Sequence, residues 1–149
     1  MGCGSGSITT KLPERNKEQT EFTYTVKIMS PQGDKGWQFD YKSDYTEIPL
    51  PTLMNYLSYN DHPSSSLSAN FISKYNQEND RFEYYVQQLM GFEIENADEP
   101  KKGKLWVVYI NESKCDWDNI CEKEVAVKHS DEVVWYLQKY NEIKKQKQS

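Results

Sequence analysis

Histidine is almost missing from this chain. Only His62 and His129 occur in 149 residues, both in loop-like surroundings and neither inside a recognisable catalytic spacing. Imidazole is the commonest general base near neutral pH, so its scarcity leaves few routes to acid–base catalysis. An enzyme reading, third in order here, would have to combine His62 or His129 with nearby carboxylates. Cysteine is equally sparse. Cys3, Cys115 and Cys121 are an odd set without the spacing of a disulfide framework, and Cys115 and Cys121 read as reduced thiols. The longest apolar run, Leu105-Trp106-Val107-Val108-Tyr109-Ile110, falls far short of the ~20 residues that a membrane-spanning helix requires. No charged segment followed by an apolar one opens the chain, so no secretory signal is expected.

Positive charge is also lacking. The net charge is −5, and although Lys144, Lys145 and Lys147 close the chain, that balance argues against general nucleic-acid binding, since phosphate neutralisation needs clustered Lys and Arg. No His-Glu-x-x-His, paired Cys-x-x-Cys, phosphate-cradling glycine loop or Gly-x-Ser-x-Gly elbow is present, and no cofactor or metal site is expected. Asp116 and Asp118 imitate the first two ligands of a calcium loop. Ile120 then occupies the third position, and Val127 stands where a bidentate Glu is required. The stretch from Cys115 to Cys121 therefore reads as a turn with Trp117 packed down and both aspartates solvated.

What the chain does hold is aromatic rings. Phe, Trp and Tyr make up 13%, with 11 tyrosines and 4 tryptophans, beside 28% charged residues. The mean hydropathy of −0.91 marks a strongly polar surface. Disordered chains are poor in aromatics, so this mixture predicts a folded unit, and the length suits a single core. A tail over residues 1–18, rich in Gly, Ser, Thr and mixed charge, reads as a flexible tether. Residues 19–149 read as one α+β domain.

Alternation of Phe22, Tyr24, Val26 and Ile28, a turn cluster at 30–36, and alternation of Trp37, Phe39 and Tyr41 predict an antiparallel hairpin. Pro51 suits the first position of a helix reaching about Leu57. A loop is expected at 61–66 and a short helix around 68–74. Phe82, Tyr85, Val86, Leu89 and Met90 repeat at helical spacing, with Asn79 or Asp80 as a cap and Gly91 as a stop, which predicts a helix over 80–90. Residues 104–110 predict a strand buried on both faces, and 125–127 a further short strand. The last element is expected to be an amphipathic helix capped by Ser130, with Asp131 and Glu132 in its first turn. Its stripe is Val133, Tyr136, Leu137, Tyr140 and Ile143, so Trp135 points away from it. The whole is an N-terminal hairpin, a helical middle, and a C-terminal strand and helix.

Two features carry the functional expectation. Trp135 and Tyr84 fall off their helical stripes, and with Tyr56, Tyr59 and Tyr75 they make more rings than one small core hides, so Trp135 and Tyr84 are expected to anchor a protein partner. The chain also opens Met1-Gly2-Cys3-Gly4-Ser5-Gly6-Ser7. Gly2 is an acceptor for N-myristoylation, although Gly6 stands where the usual pattern has Ser or Thr, and Cys3 is a site for palmitoylation. One myristoyl chain binds a bilayer only marginally. The few tail cations, Lys11, Arg15 and Lys17, face Glu14 and Glu18, so the second anchor would have to be the Cys3 thioester. The resulting expectation is a non-enzymatic, lipid-anchored adaptor at the cytoplasmic face of a membrane. A structural subunit of a larger assembly away from membranes is the alternative.

Overall fold

A computed structural model describes residues 20–59 and 67–141. The expected tether with Gly2 and Cys3, and the loop at 61–66 with His62, lie outside the described residues. Among the described residues the chain is a mixed α/β structure made mostly of strands, ten of them, with two α-helices.

The first two strands, β1 (Phe22–Ile28) and β2 (Trp37–Ser43), pair antiparallel from Phe22↔Ser43 to Ile28↔Trp37. Tyr24, Val26 and Ile28 are buried while Thr23 and Lys27 face water, the period of a half-buried strand. Gly36, just before β2, lies against the backbone of β1. A Cβ placed on it would sit 2.0 Å from the Ile28 carbonyl oxygen, so only glycine allows that approach. The short β3 (Glu47–Pro49) runs directly into α1 (Leu50–Ser58), where Leu50, Leu53, Met54 and Leu57 form one buried stripe.

A second sheet follows. β4 (Ala69–Asn76) and β5 (Arg81–Leu89) pair antiparallel, and β6 (Phe92–Glu93) extends β5 at one end. After a 3-10 turn at Pro100–Lys102 come β7 (Lys104–Ile110), β8 (Ser113–Cys115), α2 (Trp117–Lys123), β9 (Ala126–Lys128) and β10 (Val133–Lys139). The main sheet has the order β2-β1-β10-β7-β8, and β3 pairs with β9 through the buried couple Ile48↔Val127. The two larger sheets meet just beyond β6. There the Ile94 amide donates to Gln87 O (2.9 Å) and the Glu95 amide donates to Lys104 O (3.0 Å).

Three expected helices are strands. Residues 68–74 and 80–90 become β4 and β5, and the C-terminal helix becomes β10, the central strand of the main sheet. The residues that imitate helix signals serve turns instead. Asn76 Oδ1 accepts the amides of Glu78 and Asn79, and Asp80 adopts φ 54° to reverse the chain into β5. Met90 and Gly91, at φ 52° and 89°, form the tight reversal into β6 that two left-handed residues provide. At β10, Asp131 caps no helix. Its carboxylate accepts the Lys128 amide at 2.8 Å and the Asn111 side-chain amide at 2.9 Å, tying the β9–β10 connection to the β7–β8 turn.

The largest correction concerns Trp135. It is not a surface anchor. In β10 it pairs with Val108 of β7 on one side and Ile28 of β1 on the other, and its exposure is 0%. Its ring meets Trp117 edge-on at 5.2 Å. Its indole Nε1 is buried without a hydrogen-bond partner. Burying an indole N–H unsatisfied has a cost, offset here by the area the ring removes from water. Trp135→Ala is expected to lower unfolding free energy by about 3–5 kcal/mol. Trp135→Phe, which also removes the orphaned N–H, should cost under about 2 kcal/mol in urea denaturation.

Candidate functional site

The candidate site lies where the smaller sheet meets α2 and β7, and one ion pair builds it. Asp118, in the first turn of α2, accepts both arms of the Arg81 guanidinium, Nη1 at 2.9 Å and Nη2 at 3.1 Å. The same carboxylate accepts the Tyr84 backbone amide at 3.0 Å, an amide on the side of β5 that β6 does not reach. Glu122, one helical turn further, lies 3.5 Å from Arg81. Burial alone would raise the Asp118 carboxyl. The hydrogen bonds from Arg81 and Tyr84, with the charges of Arg81 and Lys101, outweigh it and hold the group below its usual 3.8. Asp118 is therefore not the solvated turn residue expected of it, and the stretch that holds it is helical. Asp116 is exposed, as expected.

Asp118 places its neighbour. Trp117 is 6% exposed, stacks on Phe71 of β4 at 5.8 Å, and meets Trp135 of β10 at 5.2 Å. It thus touches both sheets. Trp117 and Tyr84 together separate two cavities. The larger, about 360 Å³, opens between β5, β7 and the β8–α2 corner, with Trp106, Cys115 and Tyr140 on its walls. The smaller, about 170 Å³, lies toward α1 between Pro51, Phe71 and Cys121. Trp106 is held by its indole N–H, which donates to Phe92 O at 2.8 Å.

Tyr84 is 40% exposed, as its off-stripe position predicted, but through strand alternation rather than helical phase. It shares one face of the β4–β5 pair with Phe82 (53% exposed) and with Tyr75 (50%), the residue directly opposite Phe82. The Tyr75 and Phe82 rings meet edge-to-face at 5.4 Å, and the Tyr75 hydroxyl donates to the Asp80 carboxylate. Of the two residues expected to bind a partner, one lies on this ridge and the other in the core. Trp117 lies between them, meeting Trp135 edge-on and lining both cavities with Tyr84. Tyr56 is half covered by stacking on Tyr41 at 5.0 Å.

The remaining chemical groups are quiet. His129 is exposed and stacks on Phe22 at 4.2 Å. Cys115 and Cys121 are both free thiols. Burial raises the Cys115 thiol, and burial followed by the Asp118 and Asp116 charges pushes Cys121 up to about 12. A thiol so shifted carries little thiolate near neutral pH and is a poor nucleophile. Among the described residues no cluster of three His, Cys, Asp or Glu could hold a metal ion. Trp117 is packed down, as the sequence predicts, whereas Arg81 and its pairing with Asp118 were not foreseen. Arg81 and Asp118 are 37 residues apart, and nothing local marks them as a pair.

Two outcomes follow for this corner. Asp118→Asn should lower the thermal midpoint on the order of 5 °C. Because the folded pKa is depressed, the stability that Asp118 contributes is fully present above pH 3.8 and is lost as pH falls through the lowered folded value. Acid titrations of wild type and Asp118→Asn should therefore converge below that window. In the native protein at pH 8, iodoacetamide should alkylate Cys121 far more slowly than in urea, with peptide mass mapping as the readout. Compared with models of protein families, with curated proteins and with solved structures, the chain matches none of them.

Proposed function

We propose that this chain is a non-enzymatic adaptor that docks a protein partner on the aromatic ridge of the smaller sheet. In this reading, acyl chains on Gly2 and Cys3 hold it at the cytoplasmic face of a membrane. The observation that carries the partner half is the ridge itself. Tyr75, Phe82 and Tyr84 stand together on one strand face, each at least 40% exposed. Large rings kept in water without a partner are unfavourable, and clustered exposed aromatics are the usual anchors of protein interfaces. The ridge is also well supported, because the Arg81–Asp118 pair fixes the strand that bears two of its three rings. A rigid anchor loses little side-chain freedom on binding.

The membrane half rests on the order of residues at the start of the chain. Gly2 supplies the acceptor amine and Cys3 the thiol for a second, reversible acyl chain. Attachment through Gly2 alone would be transient, and the thioester on Cys3 would make it stable.

Intact mass of the protein from its native cell tests the anchor. The expected result is a mature chain carrying myristoyl and palmitoyl adducts, found in the membrane fraction. Gly2→Ala should release it entirely, and Cys3→Ser should leave it exchanging between membrane and solution. An unmodified amino terminus in a purely soluble fraction would sink this half. The partner half predicts that a protein co-purifying at fixed ratio is lost from Phe82→Ala/Tyr84→Ala while circular dichroism stays native. Retention of that partner by the double variant would move the interface elsewhere.

A further inference from the structure

The smaller sheet ends on an open edge. In its order β4-β5-β6, no strand among the described residues pairs with the far side of β4. Asp118 and β6 reveal which backbone groups face that side. The Tyr84 amide donates to the Asp118 carboxylate, so it points away from β4, and Leu89 is paired with Phe92 of β6. In an antiparallel ladder, two residues directly opposite each other turn their backbone groups either toward one another or both away. Ser73 lies opposite Tyr84 and Ala69 opposite Leu89, so both turn their N–H and C=O to the open side. Phe71 and Tyr75 alternate with them and do the same, while Ile72 and Lys74 face β5. Free edges are normally blunted by shortness, proline or several charges. β4 spans 8 residues, has no proline and carries Lys74 as its one charge.

We infer that β4 is a dimerisation edge, pairing antiparallel with β4 of a second copy of this chain about a two-fold axis at Ile72. The edge is complementary to itself at that register. Ala69 falls opposite Tyr75 of the second copy and Phe71 opposite Ser73 of the second copy, and the reverse pairs follow by symmetry. Every outward N–H and C=O then finds a partner. An axis at Phe71 strands the groups of Tyr75, and one at Ser73 strands those of Ala69. An axis at Lys74 strands more and sets two ammonium groups face to face. An axis between residues puts outward groups opposite inward ones and makes no ladder. At Ile72, by contrast, Lys74 meets the second copy's Asn70, and the two Ile72 side chains form an apolar couple. A two-fold contact of this kind uses one patch twice and closes. The two small sheets become one, with both aromatic ridges on the same face. The inference does not depend on acylation or on a partner at the ridge.

Sedimentation velocity of the full chain should show a monomer–dimer equilibrium, the larger species at twice the 17.5 kDa chain mass. Ser73→Pro removes an N–H that β5 does not use, a substitution that edge strands tolerate. It should weaken the dimer at least about tenfold, through one lost hydrogen bond in each copy, while circular dichroism stays native. Cross-linking reads the register without depending on that variant. On mild oxidation Ile72→Cys should form a disulfide with its own copy, located by peptide mass mapping, because the axis brings the two Cα atoms within reach. Ser73 is more exposed than Ile72, yet Ser73→Cys should not link, being offset along the strand from its own copy. Phe82→Ala/Tyr84→Ala should keep the dimer, so failure of docking on the ridge and failure of this inference are separate results. A monomer at every concentration, a dimer unaffected by Ser73→Pro, a dimer lost in the ridge variant, or Ser73→Cys linking in preference to Ile72→Cys would each overturn the assignment.

Discussion

The Arg81–Asp118 pair is the contact on which this architecture turns. It joins a residue at the start of β5 to the first turn of α2, and the same carboxylate takes up the Tyr84 amide. An arginine fork and a carboxylate make two parallel hydrogen bonds, so the contact fixes orientation as well as distance. Without it, the smaller sheet would still be tied to the rest by the Glu95 amide bond to Lys104 O, the Leu67 amide bond to Leu57 O, the Trp106 indole bond to Phe92 O, and apolar packing. With it, β5 cannot slide along α2, and a slip by one residue would turn Phe82 and Tyr84 to the opposite face.

Trp117 extends the effect of that pair into the core. Its ring contacts Phe71 on one sheet and Trp135 on the other, so it forms an aromatic seam between the two sheets. Two cavities flank Trp117 and Tyr84 beside this seam. The aromatic richness visible in the composition therefore has three destinations. Some rings fill the core, some face water on the β4–β5 ridge, and some line the cavities between the sheets.

How much was legible in the residues depended on which signals were ambiguous. Pro51 signalled the first turn of a helix reaching about Leu57, and α1 runs Leu50–Ser58. The run at 104–110, rich in β-branched and aromatic residues, became the largely buried β7. The strand β5 satisfied two templates at once. Phe82, Tyr85, Val86 and Leu89 repeat at helical spacing, and Phe82 and Tyr84 also alternate. In so short a segment the two periods cannot be separated, and the flanking Asn79, Asp80 and Gly91 serve helix caps and hairpin turns alike. The choice fell to pairing partners. β4 lies along β5 from one side, and β10 is flanked by β1 and β7, so strand hydrogen bonds satisfied what a helix would have satisfied internally.

By itself, the sequence determined the presence of a folded, aromatic-cored, charged-surfaced unit, the position of α1, the alternating runs of β1 and β2, and the chemistry available at Gly2 and Cys3. Only tertiary structure decided that Trp135 is interior while Tyr84 is exposed, and that Arg81, Asp118 and Trp117 form one corner. The reason is physical. Composition and local periodicity act through neighbours in the chain, whereas burial of a ring and pairing of an acid with a base depend on which distant strand arrives alongside.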